Sequence, residues 1–124
     1  MNKILIIEDD EQVRGSVSLS LESAGYEVME AATCQEGLKS HKHFAPSVII
    51  SDAVSLENEE GEILRRLCQE SAHLPLITLM GTLSDSELGS SSMAPSPHFV
   101  SSFTLHKPFT LDELLEVVEG ALVR

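Results

Sequence analysis

The sequence predicts a doubly wound α/β domain, with five parallel strands in one sheet and helices on both faces. Two observations carry that prediction. Short, unbroken apolar runs recur along the chain, the pattern of strands covered on both sides. Between them lie amphipathic stretches with apolar residues three and four apart, and this alternation builds right-handed crossovers onto a parallel sheet. A length of 124 residues fits one domain, 1–124. Folding at that size buries roughly two-thirds of the surface an unfolded chain exposes.

The elements follow in order. Residues 3–7 (KILII) form a buried strand that stops at Glu8, Asp9 and Asp10. A helix then begins at Asp10 or Glu11, with Val13, Val17, Leu21 and Ala24 on its apolar stripe, and Gly25 ends it by accepting a left-handed backbone. Tyr26 to Glu30 alternates in polarity, as an edge strand does. Thr33 and Glu36 have the spacing of a capping box, which predicts a second helix from about Cys34 to His41 that Gly37 weakens. Pro46 opens a third strand over 47–51 that ends in Asp52. Ile63, Leu64, Leu67 and Cys68 mark a third helix, and Pro75 introduces a strand over 76–79. The last strand lies near 101–105. Thr110 and Glu113 cap a final helix whose stripe is Leu111, Leu114, Leu115, Val118 and Leu122.

One segment breaks the alternation. Between Met80 and Val100 only Leu83 and Leu88 could start a helix, and Gly89, three serines and two prolines oppose a long one. The helix expected between the fourth and fifth strands is therefore read as shortened or disordered.

Composition narrows the function. Acidic residues outnumber basic ones 20 to 8, for a net charge of −12. Such a surface repels both duplex nucleic acid and anionic membrane, and it suits a divalent cation or a basic patch on a partner protein. Cys34 and Cys68 are too few for a disulfide framework or a zinc site and read as small buried residues. The five histidines show no metal-ligand spacing on a legible helix. No apolar run approaches the ~20 residues of a membrane span, and no signal-peptide layout is present, so the expectation is a cytoplasmic protein.

In open α/β sheets, sites form beyond the carboxyl ends of the strands. Here the first strand delivers Glu8 and Asp9, the third Asp52 and the fifth Lys107. Carboxylates gathered in one cleft repel each other and stay charged near neutral pH only with a cation, and hard oxygen donors suit Mg²⁺. A lone acid after a strand is ordinarily a helix cap or a solvated residue. Several at the ends of different strands of one sheet are harder to dismiss.

These features resemble the receiver domain of bacterial two-component response regulators, of the chemotaxis type with its flavodoxin-like fold. The matching text is KILIIEDD from Lys3, PSVIISD from Pro46 and KPF from Lys107, and the resemblance runs from Lys3 to about Leu122. It implies that Asp52 accepts a phosphoryl group from a sensor histidine kinase. It also implies that Glu8, Asp9, Asp52 and the carbonyl of Val54 hold Mg²⁺. Lys107 would bind a phosphoryl oxygen, and Pro108 would follow a cis peptide bond. Implied partners are the kinase and an unidentified downstream protein, not nucleic acid or membrane, with an output domain if the chain is a truncation. Self-catalysed phosphorylation and dephosphorylation are implied, without the turnover of an enzyme.

Four departures stand out. The position that ordinarily bears Thr or Ser at the end of the fourth strand is Met80, with Thr82 two residues on as a substitute if the loop is reshaped. The aromatic switch position, three before the lysine, is Thr104, while Phe103 stands on the opposite face of the strand. The helix before the fifth strand is illegible. The loop after Asp52 lacks its usual proline and is one residue longer. Phosphorylation chemistry is thus expected with a different read-out, in which residues 82–100 order on phosphorylation. A degenerate receiver acting as a non-phosphorylated interaction module is the alternative. A phosphohydrolase is disfavoured, because the general-acid position two beyond the nucleophile is Val54.

Overall fold

The computed structural model describes residues 2–52, 59–70, 74–80, 101–106 and 109–123. Its elements are β1 (Lys3–Ile7), α1 (Glu11–Ser23), β2 (Glu27–Ala31), α2 (Cys34–Phe44), β3 (Val48–Asp52), α3 (Glu59–Glu70), β4 (Pro75–Met80), β5 (Ser101–His106) and α4 (Leu111–Val123). All strand pairs are parallel, in the order β2-β1-β3-β4-β5. β2 is an edge strand, in keeping with its alternating sequence.

Side-chain alternation divides the strands between two apolar layers. Ile4, Ile6, Val48, Ile50, Ile77, Leu79 and Leu105 pack with Val17 and Leu21 of α1 and with Leu114, Val118 and Ala121 of α4. Leu5, Ile7, Ile49 and Leu76 face the other way, toward Cys34 of α2 and toward Leu64 and Leu67 of α3. This is the two-layered covering that the continuous apolar runs require.

Each helix end has a local cause. Asp10 caps α1. At its other end the Gly25 N–H donates to the Glu22 carbonyl at 3.0 Å and the Tyr26 N–H to the Leu21 carbonyl at 3.1 Å. This wrap over Gly25, whose φ is 101°, is a Schellman motif. The Glu113 N–H donates to Thr110 Oγ1 at 3.1 Å and the Thr110 N–H to Glu113 Oε1 at 2.9 Å, the capping box expected for the last helix. In α2 the Glu36 N–H donates to Thr33 Oγ1 at 3.1 Å, but the carboxylate reaches back to the Ala32 N–H at 3.4 Å, one residue earlier than in the usual box.

α2 also runs three residues beyond the expected end at His41. Phe44 is buried, the Lys3 ammonium lies 5.5 Å from the centre of its ring, and Ala45 then turns the chain with a φ of 54°. The expectation of a shortened or disordered helix falls on residues 81–100, which lie outside the described residues. No described helix is long and apolar enough to cross a membrane.

Candidate functional site

The sheet reverses its strand order at β1, which has β2 on one side and β3 on the other. A crevice outside such a switch point is where open α/β sheets bind ligands. Ile7 pairs with Ser51, so Glu8, just past β1, and Asp52, the last residue of β3, lie side by side. One carboxylate oxygen from each of Glu8, Asp9 and Asp52 lies within 4.8 Å of the other two. The structure therefore brings together three of the residues singled out from the sequence.

The three acids differ in exposure. Glu8 is 1% exposed, Asp52 is half-buried and Asp9 is open to solvent. Backbone and side chain both hold Glu8. Its N–H donates to the Ala31 carbonyl at 3.0 Å, extending the pairing of β1 with β2, and its Oε1 accepts the Asp10 N–H at 3.1 Å. Among the described residues, no buried side-chain nitrogen or oxygen lacks a hydrogen-bond partner. A buried acid on this scale is tolerated because its lone pairs are occupied.

Asp10 stands where the sequence placed the start of the first helix, and its carboxylate is used there. Its Oδ1 accepts the N–H groups of Gln12 at 2.9 Å and Val13 at 3.2 Å. These are two of the donors that a helix start leaves without partners, so this carboxylate is committed to α1. The Glu-Asp-Asp run thus divides, with Glu8 and Asp9 grouped with Asp52 and Asp10 capping the helix.

Two contributors were not singled out from the sequence. Ser51 is buried, and its Oγ donates to the Asp52 carbonyl at 2.9 Å. Arg14, in the first turns of α1, donates from Nη1 to the Glu8 carbonyl at 2.8 Å and from Nε to Glu30 Oε1 at 3.2 Å. The available signal was a cation beside Val13, on the helix that directly follows the acids. The amphipathic stripe drew attention to its apolar neighbours instead.

The donor set fits a hard divalent cation. Three carboxylates supply oxygen ligands from one crevice, and their mutual repulsion, about 1 to 4 kcal/mol per pair depending on intervening water, is offset when a cation stands between them. Val54, Thr82, Lys107 and Pro108 lie outside the described residues. Met80 is the last residue of β4, paired with His106. Thr104 is half-buried in β5 opposite Thr78, and Phe103 packs into the α1/α4 layer, on the other face of the strand as alternation requires.

A five-stranded parallel sheet with an acidic crevice at its switch point defines a doubly wound α/β domain of the flavodoxin-like class. The chain belongs to the response regulator receiver domain family, whose model matches residues 4–119. It is 32% identical over 124 residues to the KDP operon transcriptional regulatory protein KdpE of Escherichia coli, covering 100% of this chain and 52% of that protein. It is 30% identical to the DNA-binding dual master transcriptional regulator RpaA of Synechocystis, covering 100% of this chain and 50% of the relative. The chain thus spans about half the length of these curated relatives. Among solved structures, the chemotaxis protein CheY4 of Vibrio cholerae superposes with a TM-score of 0.76 at 27% identity, over 98% of this chain and 99% of that one. A CheY-like receiver from Methanospirillum hungatei gives a TM-score of 0.77 at 26% identity, over 98% of this chain and 94% of the other. Receiver domains are signalling modules of two-component systems that partner with histidine kinases and bind Mg²⁺ through acidic residues.

Proposed function

We propose that the chain, as a single receiver domain, accepts a phosphoryl group on Asp52 from a sensor histidine kinase in a Mg²⁺-dependent reaction. The observation that carries this reading is the grouping of Glu8, Asp9 and Asp52 within 4.8 Å at the switch point. In the transfer, a carboxylate oxygen of Asp52 attacks phosphorus in line. The P–N bond to the donor imidazole breaks, and that nitrogen keeps the bonding pair. Glu8, Asp9, Asp52 and the carbonyl of Val54 would hold Mg²⁺, which when bound neutralises charge on the transferring oxygens. Lys107 would bind a phosphoryl oxygen, with Thr82 as the hydroxyl donor in place of Met80, and Pro108 would follow a cis bond.

For the kinase, a groove of about 450 Å³ between α1 and α4 is available, with Val13, Val17, Phe109 and Leu114 in its lining. It reaches the first turn of α1, the turn capped by Asp10 beside the acids. KdpE and RpaA are transcriptional regulators, and a phosphorylation signal in this chain would pass to an attached output segment or to a separate protein. A cytoplasmic site of action accords with that role. Residues 82–100, together with Met80 and Thr104, would form the altered read-out.

Incubation with acetyl phosphate and Mg²⁺, followed by intact-mass measurement, tests the reading. The expected result is a gain of one phosphoryl group by the wild-type chain, lost in Asp52→Asn and on chelation of the metal. A wild-type chain that never gains the mass would overturn the proposal. That outcome would favour a non-phosphorylated interaction module, the reading to which the missing hydroxyl at Met80 points.

A further inference from the structure

We propose that Arg14 is a positioning residue for the divalent-cation site, acting through the peptide unit that joins Glu8 to Asp9. This inference rests on the cation-binding role proposed for those acids. The Glu8 carbonyl, which accepts Arg14 Nη1 at 2.8 Å, belongs to the planar unit linking the two candidate ligands. Turning this carbonyl by a change in ψ at Glu8 redirects Asp9 relative to Glu8. The preceding peptide unit is secured by the Glu8 N–H on the Ala31 carbonyl at 3.0 Å, and Arg14 secures the oxygen of the next.

The guanidinium is itself held from a second side: Glu30, the fourth residue of edge strand β2, accepts its Nε at 3.2 Å. The Arg14 backbone N–H donates to the Asp10 carbonyl at 2.9 Å, which fixes the stem of the side chain in the first turns of α1. The side chain of Arg14 is 18% exposed and that of Glu30 44%. An ion pair this open to water contributes little to stability by itself. Its value lies in geometry, since the planar fork of arginine holds two acceptors in fixed directions and a lysine ammonium does not. β2, α1 and the acidic turn are thereby joined through one side chain. Partners of this kind, one step removed from the metal, typically change metal affinity by ten- to a hundredfold when lost.

The sign of the effect separates positioning from a bystander charge. Removing a cation near three carboxylates strengthens cation binding through Coulomb attraction alone. Loss of a positioning contact weakens it. The experiment is a Mg²⁺ titration of the whole chain, followed by the amide NMR shifts of Glu8, Asp9 and Asp52, in wild type, Arg14→Met and Arg14→Lys. Amide hydrogen exchange at Asp10, measured without metal, accompanies it. The expected outcome is a Kd about tenfold weaker in Arg14→Met and intermediate in Arg14→Lys, with faster Asp10 exchange in both. Binding in Arg14→Met as tight as wild type or tighter overturns the proposal. Should Arg14→Met not fold, Arg14→Lys decides, because its charge is unchanged and a wild-type Kd leaves geometry no role. If the wild-type chain itself shows no saturable shifts at these amides, the cation-site reading falls, and this proposal with it. Saturable wild-type binding with unaltered Arg14 variants removes the positioning role alone.

Discussion

Gly15 in α1 and Gly37 in α2 are both glycines inside helices, yet the two regions use them in opposite ways. A Cβ on Gly37 would sit 2.8 Å from Ile7 Cδ1, 3.1 Å from Ile7 Cγ1 and 3.5 Å from Leu67 Cδ1. A Cβ on Gly15 would meet nothing within 4 Å. The face of the sheet under α2 and α3 is closed up to van der Waals contact, and it sets the end of β1 from which Glu8 departs. The groove of about 450 Å³ between α1 and α4 is larger than the one of about 300 Å³ between α2 and α3. The comparison teaches that glycine content does not report looseness. On one face glycine is the condition for close approach, and on the other it is simply a weak helix former.

The largest expected effect is at the closed face. Gly37→Val should lower stability by about 3 kcal/mol, the upper end of the 1 to 3 kcal/mol that overpacking a buried contact typically costs, because even its Cβ would lie 2.8 Å from Ile7 Cδ1. Urea unfolding measures it, and a loss below half that value would break the claim of a closed face. Ile7→Val sharpens the same point, since it deletes the Cδ1 atom at 2.8 Å. In a Gly37→Ala background it should recover about 1 kcal/mol relative to the sum of the single changes.

Gly15 lies on the solvent-exposed side of α1, outside the groove lining, and substitution there should act in the other direction. Gly15→Ala is expected to raise stability by roughly 0.5 to 1 kcal/mol through helix propensity and a less disordered unfolded chain, with a matching rise in the urea midpoint. A destabilisation would show that something packs there. The smallest effect concerns Tyr26, which packs against the α1/α4 layer and whose pKa is raised above 10.0 by burial, and further by the nearby charge of Glu119. The unfolded chain then loses its phenolic proton first. Stability from this group is complete below pH 10 and declines as pH rises past that value. Tyr26→Phe should remove that decline, so equal slopes in the two proteins above pH 10 would refute the assignment.

Much of the fold was legible where local and long-range signals agree. The run from Lys3 to Ile7 could be read as a two-sided strand because every residue from Ile4 onward is buried. The end of α1 at Gly25 and the Thr110–Glu113 box were legible because capping depends on residues within one helical turn. The grouping of Glu8 and Asp9 with Asp52 could be expected from strand ends, since parallel strands place their carboxyl ends on one edge. Less legible was how the adjacent acids divide their tasks, because Asp9 and Asp10 have the same side chain and only the backbone direction at the start of α1 separates a ligand from a cap. The extension of α2 ends at the buried Phe44, whose ring lies 5.5 Å from the ammonium of Lys3, a residue remote in sequence.

By itself the sequence determined the class of the sheet, its crossover pattern and the identity of the acids at the ends of its first and third strands. Hydrophobic periodicity and capping are properties of short windows, and chain order carries them without reference to the rest of the molecule. Tertiary structure alone decided how closely Gly37 approaches Ile7 and that Arg14 grips the Glu8 carbonyl. Each of these depends on distances between atoms far apart along the chain or on the direction in which the backbone leaves a strand. Packing the helices onto the sheet is what sets those distances.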